Sequence, residues 1–402
     1  MQSRPYYANF VKKIAFKNNK MAFIAGPRQV GKTTLAQQLL DEAGGGGYYN
    51  WDDLEFKRQW IKDPKALVPQ AVGPRKLVVF DELHKAARWK SSLKGVYDLR
   101  HSYADILVTG SAKLDIFRRG GDSLLGRYFL LRMHPFSLGE LSESAAKPDD
   151  LETLLKNPLT SSKDIFERLF QFGGFPDPYL KADPVLWNLW RRMRHERLVR
   201  EDLLALTQTH EIALIESCAA LLPDRVGSPF SVQSLAGDLG VSHPTTKRWL
   251  LWLSQLFYLY FVPVYSKKLA RSLRKQPKAY LWDWSEVKDE GPRFENMCAG
   301  HLLKACHFWT DSGLAKFDLC YVRDKEKREV DFLVTRDGRP WLLAECKSGD
   351  TDIAPSLLYY AKILAPPIVL QIVRKTGVHD RFDLPDGRKG TLVSADSFLR
   401  MF

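Results

Sequence analysis

Cysteine is scarce in this sequence, and long apolar runs are missing. The 402 residues include five cysteines, none of them in a CxxC pair, which argues against a disulfide scaffold or a zinc framework. No apolar run approaches the roughly 18 residues that a membrane-spanning helix needs. The first 20 residues lack the apolar core and the cleavage site of a secretory signal. From these absences we expect a soluble, cytoplasmic protein with reduced cysteines and no association with membranes.

Internal repeats are also missing, and Gly44–Gly47 is the only low-complexity tract. With 45% hydrophobic and 27% charged residues, the chain has the composition of a globular protein. Residues 20–135 alternate short apolar runs with helical stretches, a pattern typical of a parallel sheet with crossover helices. Residues 150–260 are mostly helical, and from Arg293 a helix precedes three strands, a second helix and a further strand. We therefore predict an α/β protein with three domains: 1–140, 141–290 and 291–402.

Positive charge exceeds negative charge, and the excess is unevenly distributed. The net charge is +13, and residues 1–140 hold 23 Lys and Arg against 13 Asp and Glu. Two further basic runs are Arg191–Arg200 and Lys267–Lys278. Such runs favour a polyanionic partner such as DNA, but each is equally typical of a solvated helix face.

A phosphate-binding pattern follows the first apolar run. Residues 26–33 fit GxxxxGK[ST] at every fixed position, after MAFIAG and before the helical stretch TLAQQLL, which is the context that this motif requires. Glycines let backbone N–H groups face the phosphates of ATP, and the helix amino terminus adds its positive dipole. We expect Lys32 to reach the outer phosphates and Thr33 to bind Mg²⁺. The predicted ATP-binding residues of this loop are Gly26, Pro27, Arg28, Gln29, Val30, Gly31, Lys32, Thr33 and Thr34.

Two acidic residues end the apolar run at 77–80. In open α/β sheets, ligands bind at the carboxyl ends of the strands. We expect Asp81 to hold Mg²⁺ through water and Glu82 to position and deprotonate the attacking water; an acidic helix cap is the alternative. The next strand, DILVTGS, ends in Thr109 and Ser111, either of which is a candidate sensor of the γ-phosphate, although hydroxyl groups are common in turns.

Several segments together resemble a known family. GPRQVGKTTL, VVFDELHKA, LVTGSAKL, SLLGRYFLLRMHPFSLGEL and FGGFPDPYL occur in this order, and the chain thereby resembles a prokaryotic AAA-type P-loop ATPase family over nearly its whole length. The resemblance implies a P-loop AAA-type ATPase domain with ATP and Mg²⁺ as cofactors, a helical middle region with a winged-helix element, and a carboxy-terminal restriction-endonuclease-like domain of the PD-(D/E)XK type. It implies no settled cellular role.

The resemblance also implies a homo-oligomer, with a hexameric ring as one form. AAA-type ATPases commonly use an arginine of a neighbouring subunit to stabilise the transition state. Arg127 is the candidate, with Arg118 and Arg119 behind it. The alternatives for Arg127 are an ordinary surface arginine or a phosphate sensor in its own subunit.

Residues 230–262 have the pattern of a helix-turn-helix. The first helix ends at a turn with Gly240, and Ser242 caps the second helix, whose amino-terminal end enters the DNA major groove in motifs of this kind. The basic segment 267–278 follows where a wing would lie. Winged helices also dock proteins, so that alternative stays open. The predicted DNA-binding residues are Thr245, Thr246, Lys247, Arg248, Lys267, Lys268, Arg271, Arg274 and Lys275.

A D…ExK pattern near the carboxyl end is similar to that of restriction-endonuclease-like folds. Glu345 and Lys347 are two residues apart on an apolar strand and so share one face. A hairpin centred near Gly338 places Asp331 opposite Glu345, and Glu295 interrupts an apolar helix stripe where an unpaired carboxylate is costly. We expect Glu295, Asp331 and Glu345 to bind a divalent metal, with Lys347 orienting water or steadying phosphate charge. A surface hairpin with solvated charges is the alternative.

Two hypotheses cover the whole protein. The first is an ATP-driven, DNA-binding machine (a motor or remodeller) whose carboxy-terminal domain binds or cuts DNA. The second is a nucleotide-dependent signalling switch whose carboxy-terminal domain is a degenerate protein-docking module. The clustered cations and the four-residue metal constellation favour the first hypothesis, and stimulation of ATP hydrolysis by DNA distinguishes the two.

Overall fold

The computed structural model describes residues 4–70, 73–110, 124–198, 203, 211–266, 275–349 and 351–402. The chain divides into two compact units, residues 1–134 and 135–402. One apolar core extends through the second unit from Phe136 to Phe402, across the predicted border at 290. The division into three domains remains a prediction.

A parallel sheet forms the centre of the first unit. Its strands are β1 Met21–Ala25, β2 Gly46–Asn50, β3 Lys76–Asp81, β4 Ala104–Gly110 and β5 Tyr128–Arg132. The strand order is β2-β3-β4-β1-β5, and all neighbours pair in parallel. The helices described in this unit are α1 Pro5–Phe10, α2 Lys32–Glu42, α3 Leu54–Lys62 and α4 Trp89–Arg100.

Buried apolar runs explain which strands the sequence predicts. The runs MAFIAG, KLVVFDE and DILVTGS predict β1, β3 and β4, and all three strands are confirmed. The sequence does not predict β2, because it starts in the glycine tract and its residues are exposed or only half-buried at the sheet edge. The carboxyl ends of β1 and β3 lie on the same edge of the sheet, which brings the two predicted ATP motifs together.

Helices dominate the first part of the second unit. They are α5 Leu138–Leu141, α6 Leu151–Leu154, α7 Lys163–Phe172, α8 Pro176–Lys181, α9 Pro184–Glu196, α10 Ile212–Leu221, α11 Val232–Leu239 and α12 His243–Gln255. The last two form the predicted helix-turn-helix. Two antiparallel strands follow, β6 Leu259–Val262 and β7 Lys278–Leu281.

A mixed sheet forms the rest of the second unit. After helix α13 Glu290–Asp311 come β8 Phe317–Arg323, β9 Glu329–Arg336, β10 Arg339–Lys347, α14 Pro355–Leu364, β11 Ile368–Val373, β12 His379–Asp383, β13 Lys389–Ser394 and α15 Ala395–Phe398. The strand order is β12-β13-β11-β10-β9-β8. The predicted succession of helix, three strands, helix and strand is confirmed, whereas β12, β13 and α15 are not predicted. Among the described residues, no helix is both long and apolar enough to cross a membrane.

Candidate nucleotide-binding site and lysine-centred acidic cluster

The phosphate-binding loop lies between β1 and α2. Gly31 has φ 96° immediately before Lys32 begins the helix, a conformation that favours glycine. A Cβ on Gly26 would lie 2.2 Å from the carbonyl oxygen of Met133, so a larger residue does not fit. Nζ of Lys32 donates to the carbonyl oxygens of Gly26 at 3.0 Å and Pro27 at 2.6 Å. The loop thus holds the lysine ammonium beside the amino terminus of α2, where anions bind favourably.

The other loop residues differ in exposure. Gln29 is exposed, and Arg28 and Thr34 are half-buried, whereas the side chain of Val30 is fully buried. Val30 can therefore contribute to a nucleotide site only through its backbone. Its carbonyl oxygen accepts a hydrogen bond of 2.7 Å from the buried guanidinium of Arg4. Arg4 thereby holds the backbone of the loop at Val30. No local sequence pattern predicts this contact, because the two residues are far apart in the chain.

Asp81 is held at the same sheet edge by three hydroxyl groups. Its Oδ2 accepts hydrogen bonds from Thr33 Oγ1 at 2.8 Å and from the Tyr48 hydroxyl at 2.6 Å, and its Oδ1 accepts one from Thr109. Burial, together with the hydrogen bond to Asp81, raises the pKa of Tyr48. The adjacent oxygens of Thr33 and Asp81 are the donors that Mg²⁺ prefers, so these residues fit the predicted metal role. Sequence reasoning missed Tyr48, and Ser111 lies outside the described residues.

The backbone leaves the extended conformation of β3 at Glu82. Its φ is 56°, and its N–H donates to the carbonyl oxygen of Thr109 at 3.0 Å. Its Oε2 lies 3.7 Å from both His84 Nε2 and Lys85 Nζ. Burial lowers the pKa of His84, which favours the neutral imidazole beside the carboxylate. Glu82 follows Asp81 in the chain, at the position where a water-positioning base is predicted to act.

Arg127 forms a bidentate ion pair within its own subunit. Its Nε lies 2.7 Å from Asp98 Oδ1 and its Nη2 lies 3.1 Å from Asp98 Oδ2. The pair is partly exposed to solvent. The role of Arg127 as an arginine finger stays a prediction, and it requires this pair to open. Arg118 and Arg119 lie outside the described residues.

The helix-turn-helix has the predicted boundaries, with one correction. Gly240 ends α11 with φ 65°, and the hydroxyl of Ser242 caps α12 by accepting from the Thr245 N–H at 3.3 Å. Thr246 is fully buried, and its hydroxyl donates to the Ser242 carbonyl at 3.2 Å. Thr246 therefore faces the core, and the prediction that it contacts DNA is wrong. Thr245 is half-buried at the start of α12.

The cations predicted to bind DNA have different surroundings. Lys247 and Arg248 are exposed on α12. Nη2 of Arg248 lies 3.3 Å from Oε2 of Glu211, and the guanidinium of Arg248 lies 5.3 Å from the ring centroid of Trp252. Nζ of Lys275 donates to the Arg323 carbonyl at 3.1 Å. The remaining members of the basic segment, Lys267, Lys268, Arg271 and Arg274, lie outside the described residues.

Asp331 and Glu345 come together as the sequence predicts. The Asp331 N–H donates to Oε2 of Glu345 at 3.3 Å, and the Cys346 N–H donates to Oδ2 of Asp331 at 3.0 Å. Lys347 lies on the same face, with Nζ 2.8 Å from Oε1 of Glu345. The predicted juxtaposition of the D…ExK side chains is therefore present across β9 and β10.

Lys278, the last residue of the basic run Lys267–Lys278, lies among acidic side chains. Lys278 is buried, and its Nζ lies 3.0 Å from Glu295 Oε1, 2.8 Å from Glu329 Oε1 and 2.9 Å from Asp331 Oδ1. Burial lowers the pKa of Lys278, but the three carboxylates outweigh that effect and raise it overall. The ammonium therefore stays charged. We call Lys278, Glu295, Glu329, Asp331, Glu345 and Lys347 the acidic cluster.

Two carboxyl groups of the acidic cluster, those of Glu295 and Glu345, have raised pKa values. Burial and the Asp331 charge raise the pKa of Glu295 to about 8 and that of Glu345 to about 7. Glu295 also accepts a hydrogen bond of 2.5 Å from the Tyr280 hydroxyl, and Glu329 pairs with Arg323.

The predicted metal role of Glu295, Asp331 and Glu345 needs a correction. Carboxylates this close repel one another unless a positive charge offsets them, and Lys278 supplies such a charge between Glu295 and Asp331. In the part of the chain that the structure describes, no group of three or more His, Cys, Asp or Glu side chains is arranged to hold a metal ion. These residues do not fit the divalent metal that a restriction-endonuclease-like nuclease requires. Sequence reasoning missed Lys278 because its contacts join distant segments. Glu329 was missed although it lies two residues before Asp331 on β9, where strand alternation places both side chains on one face.

Three regions of the chain match known families. Residues 18–142 match a family described as an AAA domain. Residues 163–285 match a domain of unknown function, DUF8612, and residues 290–383 match another, DUF4143. The two families of unknown function add no activity.

Relatives and solved structures are similar at low identity. The chain is 23% identical over 332 residues to uncharacterized proteins of Mycobacterium bovis and Mycobacterium tuberculosis, across 80% of this chain and 69% of each relative. It is similar to the Aeropyrum pernix ORC1 protein in complex with DNA, at 13% identity and a TM-score of 0.34, over 74% of this chain and 93% of that one. For AMPPCP-bound DnaA from Aquifex aeolicus the identity is 15% and the TM-score 0.33, over 61% and 86% of the two chains. These structural likenesses are distant. The family match and the geometry of the loop after β1 together identify residues 18–142 as an AAA-type P-loop domain.

Proposed function

We propose that the protein is a Mg²⁺-dependent ATP hydrolase that acts on DNA. One observation carries the ATPase part: Thr33 of the phosphate-binding loop donates to Asp81 at the end of β3, with Lys32 and Glu82 as their chain neighbours. Thr33 and Asp81 would hold Mg²⁺, which neutralises developing phosphate charge. Lys32 would bind the outer phosphates, and Glu82 would orient and deprotonate the attacking water.

Duplex DNA is the proposed partner of the helix-turn-helix. Lys247 and Arg248 are exposed near the amino-terminal end of α12, the end that approaches the major groove in such motifs. Strand β6 follows α12 closely and pairs with β7 in antiparallel orientation, an order that supports a winged helix. The net charge of +13 favours association with a polyanion. The cytoplasm, where ATP and chromosomal DNA are both present, is the proposed location.

Assembly into a homo-oligomer is the third part of the proposal. Arg127 is the candidate for the arginine that completes a neighbour's ATP site, and it is partly exposed beside Asp98. Exchange of Asp98 for a neighbour's phosphate would free Arg127 for this role. Sedimentation with a non-hydrolysable ATP analogue should show association, and a strict monomer with full ATPase activity would refute the assembly.

The carboxy-terminal domain is proposed to have a restriction-endonuclease-like fold that has lost its metal chemistry. The helix α13, the antiparallel strands β8 to β10 and the parallel strand β11 support the fold. The lysine-centred acidic cluster supports the loss. This same observation favours a second candidate function, a nucleotide-dependent signalling switch whose carboxy-terminal domain docks proteins.

The rate of ATP hydrolysis with and without DNA separates the two functions. Duplex, forked and four-way DNA should be compared. We expect at least one of them to accelerate hydrolysis and Lys247→Ala to weaken that effect. The matched control is Lys163→Ala, a lysine exposed on α7 outside the helix-turn-helix. Equal ATPase rates with every DNA would favour the signalling switch.

A further inference from the structure

Strand β7 contacts the acidic cluster through Lys278 and through Tyr280, whose hydroxyl donates to Glu295. Lys278 is the first residue of β7, which pairs with β6 and lies outside the mixed sheet. Its partners come from α13, which supplies Glu295, and from β9, which supplies Glu329 and Asp331. One ammonium therefore connects the hairpin, the long helix and the mixed sheet.

The coordination of this ammonium resembles that of a bound cation. Three carboxylate oxygens lie 2.8 to 3.0 Å from Nζ, which matches the three donors that an ammonium offers. The ring centroid of Tyr321 lies 5.5 Å from the same nitrogen, within the range of a cation–π contact. The hydrogen-bonding capacity of Lys278 is thus filled inside the protein.

The same distances are too long for a divalent metal. Mg²⁺ binds oxygen at about 2.0–2.1 Å in near-octahedral geometry, so the carboxylates would have to move inward by most of an ångström each. Lys278 would also have to leave, because it lies between the oxygens.

We propose that Lys278 is the resident cation of the acidic cluster and takes the place of a divalent metal. The cluster fastens the β6–β7 hairpin to the carboxy-terminal sheet, and it binds a metal only when the Lys278 ammonium is removed. This inference is independent of the proposed ATPase and DNA-binding activities. It assigns Glu295, Glu329 and Asp331 to a protein cation rather than to a cofactor.

Binding of Mn²⁺ to the nucleotide-free full-length protein tests the proposal. Free Mn²⁺ can be counted by electron paramagnetic resonance in the parent protein and in Lys278→Met, which keeps an unbranched side chain of similar length without the charge. We expect Lys278→Met to bind a single additional Mn²⁺ per chain. In the double variant Lys278→Met/Asp331→Asn, that binding should weaken by about 10- to 100-fold or more. Differences between variants exclude Mn²⁺ at the phosphate-binding loop, which all of them share.

Lys304→Met is the matched control. Lys304 is another buried lysine of the same unit, and its Nζ lies 2.5 Å from Glu140 Oε2. This variant loses a buried ammonium outside the acidic cluster, one that pairs with Glu140, so it should bind no more Mn²⁺ than the parent. A folded Lys278→Met that gains no Mn²⁺ would overturn the proposal, as would a gain of the same size in Lys304→Met.

The single variant Asp331→Asn keeps the test decisive if Lys278→Met does not fold. With Lys278 as the resident cation, the parent and Asp331→Asn should bind Mn²⁺ equally. Weaker Mn²⁺ binding by folded Asp331→Asn would show that the parent cluster already holds a metal, and the proposal would fail. Circular dichroism in the near ultraviolet establishes which variants are folded.

Discussion

The hydroxyl of Tyr48 donates a hydrogen bond of 2.6 Å to Oδ2 of Asp81. Tyr48 lies on β2 at the edge of the parallel sheet, whereas Asp81 ends the neighbouring strand β3. The same oxygen accepts from Thr33, so two hydroxyl groups hold this carboxylate oxygen in place. Tyr48 therefore positions the residue that is proposed to hold Mg²⁺.

Tyr48→Phe should reduce ATP hydrolysis and raise the Mg²⁺ concentration needed for half-maximal activity. A hydrogen bond to a charged group contributes about 1.5–3 kcal/mol, so we expect an effect of roughly 10- to 150-fold. The measurement is the ATPase rate as a function of Mg²⁺. Tyr49→Phe is the matched control, because the Tyr49 hydroxyl donates to the Leu67 carbonyl at 3.2 Å. Equal Mg²⁺ dependence in the parent and Tyr48→Phe would remove Tyr48 from the site.

Glu82→Gln should block hydrolysis while leaving ATP bound. Loss of a general base lowers kcat by about 10²–10⁴-fold, whereas the amide keeps the size of the side chain. Lys32→Ala should instead weaken phosphate binding itself. Nucleotide affinity and single-turnover hydrolysis separate the two effects, with Glu55→Gln on the exposed side of α3 as the control. Hydrolysis by Glu82→Gln at the parent rate would show that another group positions the water.

A buried histidine should make the second unit sensitive to acid. The Leu138 N–H donates to His301 Nε2 at 3.0 Å, so Nδ1 carries the proton that it shares with the Met297 carbonyl at 2.8 Å. Burial lowers the pKa of His301 to about 3. The unfolded chain, with a histidine pKa of about 6.5, binds more protons between these values. Stability from this group is therefore present above pH 6.5 and is lost as the pH falls toward 3.

Unfolding in urea at pH 6.5 and pH 5.5 measures this loss. We expect His301→Gln to be less stable than the parent at both pH values but less dependent on pH. Between pH 6.5 and pH 5.5, the free energy of unfolding of the parent should fall by about 1 kcal/mol more than that of His301→Gln, since one proton per pH unit corresponds to about 1.4 kcal/mol. His379→Gln, at a partly exposed histidine, controls for the loss of an imidazole. The same pH dependence in His301→Gln and the parent would contradict the assignment.

The sequence predicts the parts of the sites that depend on local patterns. The phosphate-binding loop and Asp81 lie at the ends of apolar runs, and the pairing of Asp331 with Glu345 follows from a hairpin. The turn and the strand register of this hairpin differ from those expected. Arg336 pairs with Arg339 across a two-residue turn, and a bulge between Pro340 and Leu342 then shifts the register by one residue. The prediction of opposed carboxylates is confirmed although the loop is shorter than expected.

Contacts between distant segments could not be predicted in this way. Lys278 belongs to a run of cations that is typical of a solvated surface, yet burial against three acids defines its role. Arg4 and Tyr48 likewise act on residues far away in the sequence. The prediction that Thr246 contacts DNA was wrong for a local reason. Its position in α12 faces the core, and hydrogen-bonding capacity alone does not reveal the buried side of a helix.

The two faces of α12 yield the last prediction, because neighbouring residues should separate DNA binding from stability. Lys247 is exposed and Thr246 is fully buried. Each phosphate contact contributes about 0.9 to the slope of log K against log salt. Lys247→Ala should therefore weaken duplex DNA binding and reduce the slope by about 0.9, with unchanged stability.

Thr246→Val is the internal control for this prediction. It removes a buried hydroxyl that donates to the Ser242 carbonyl, which should lower the free energy of unfolding by about 1 kcal/mol. DNA affinity and its salt dependence should stay at the parent values, because the side chain does not reach the surface. Titrations of labelled duplex DNA at several salt concentrations measure both quantities. If Thr246→Val reduced the salt slope as much as Lys247→Ala does, or if Lys247→Ala left it unchanged, the exposed face of α12 would not be the surface that contacts DNA.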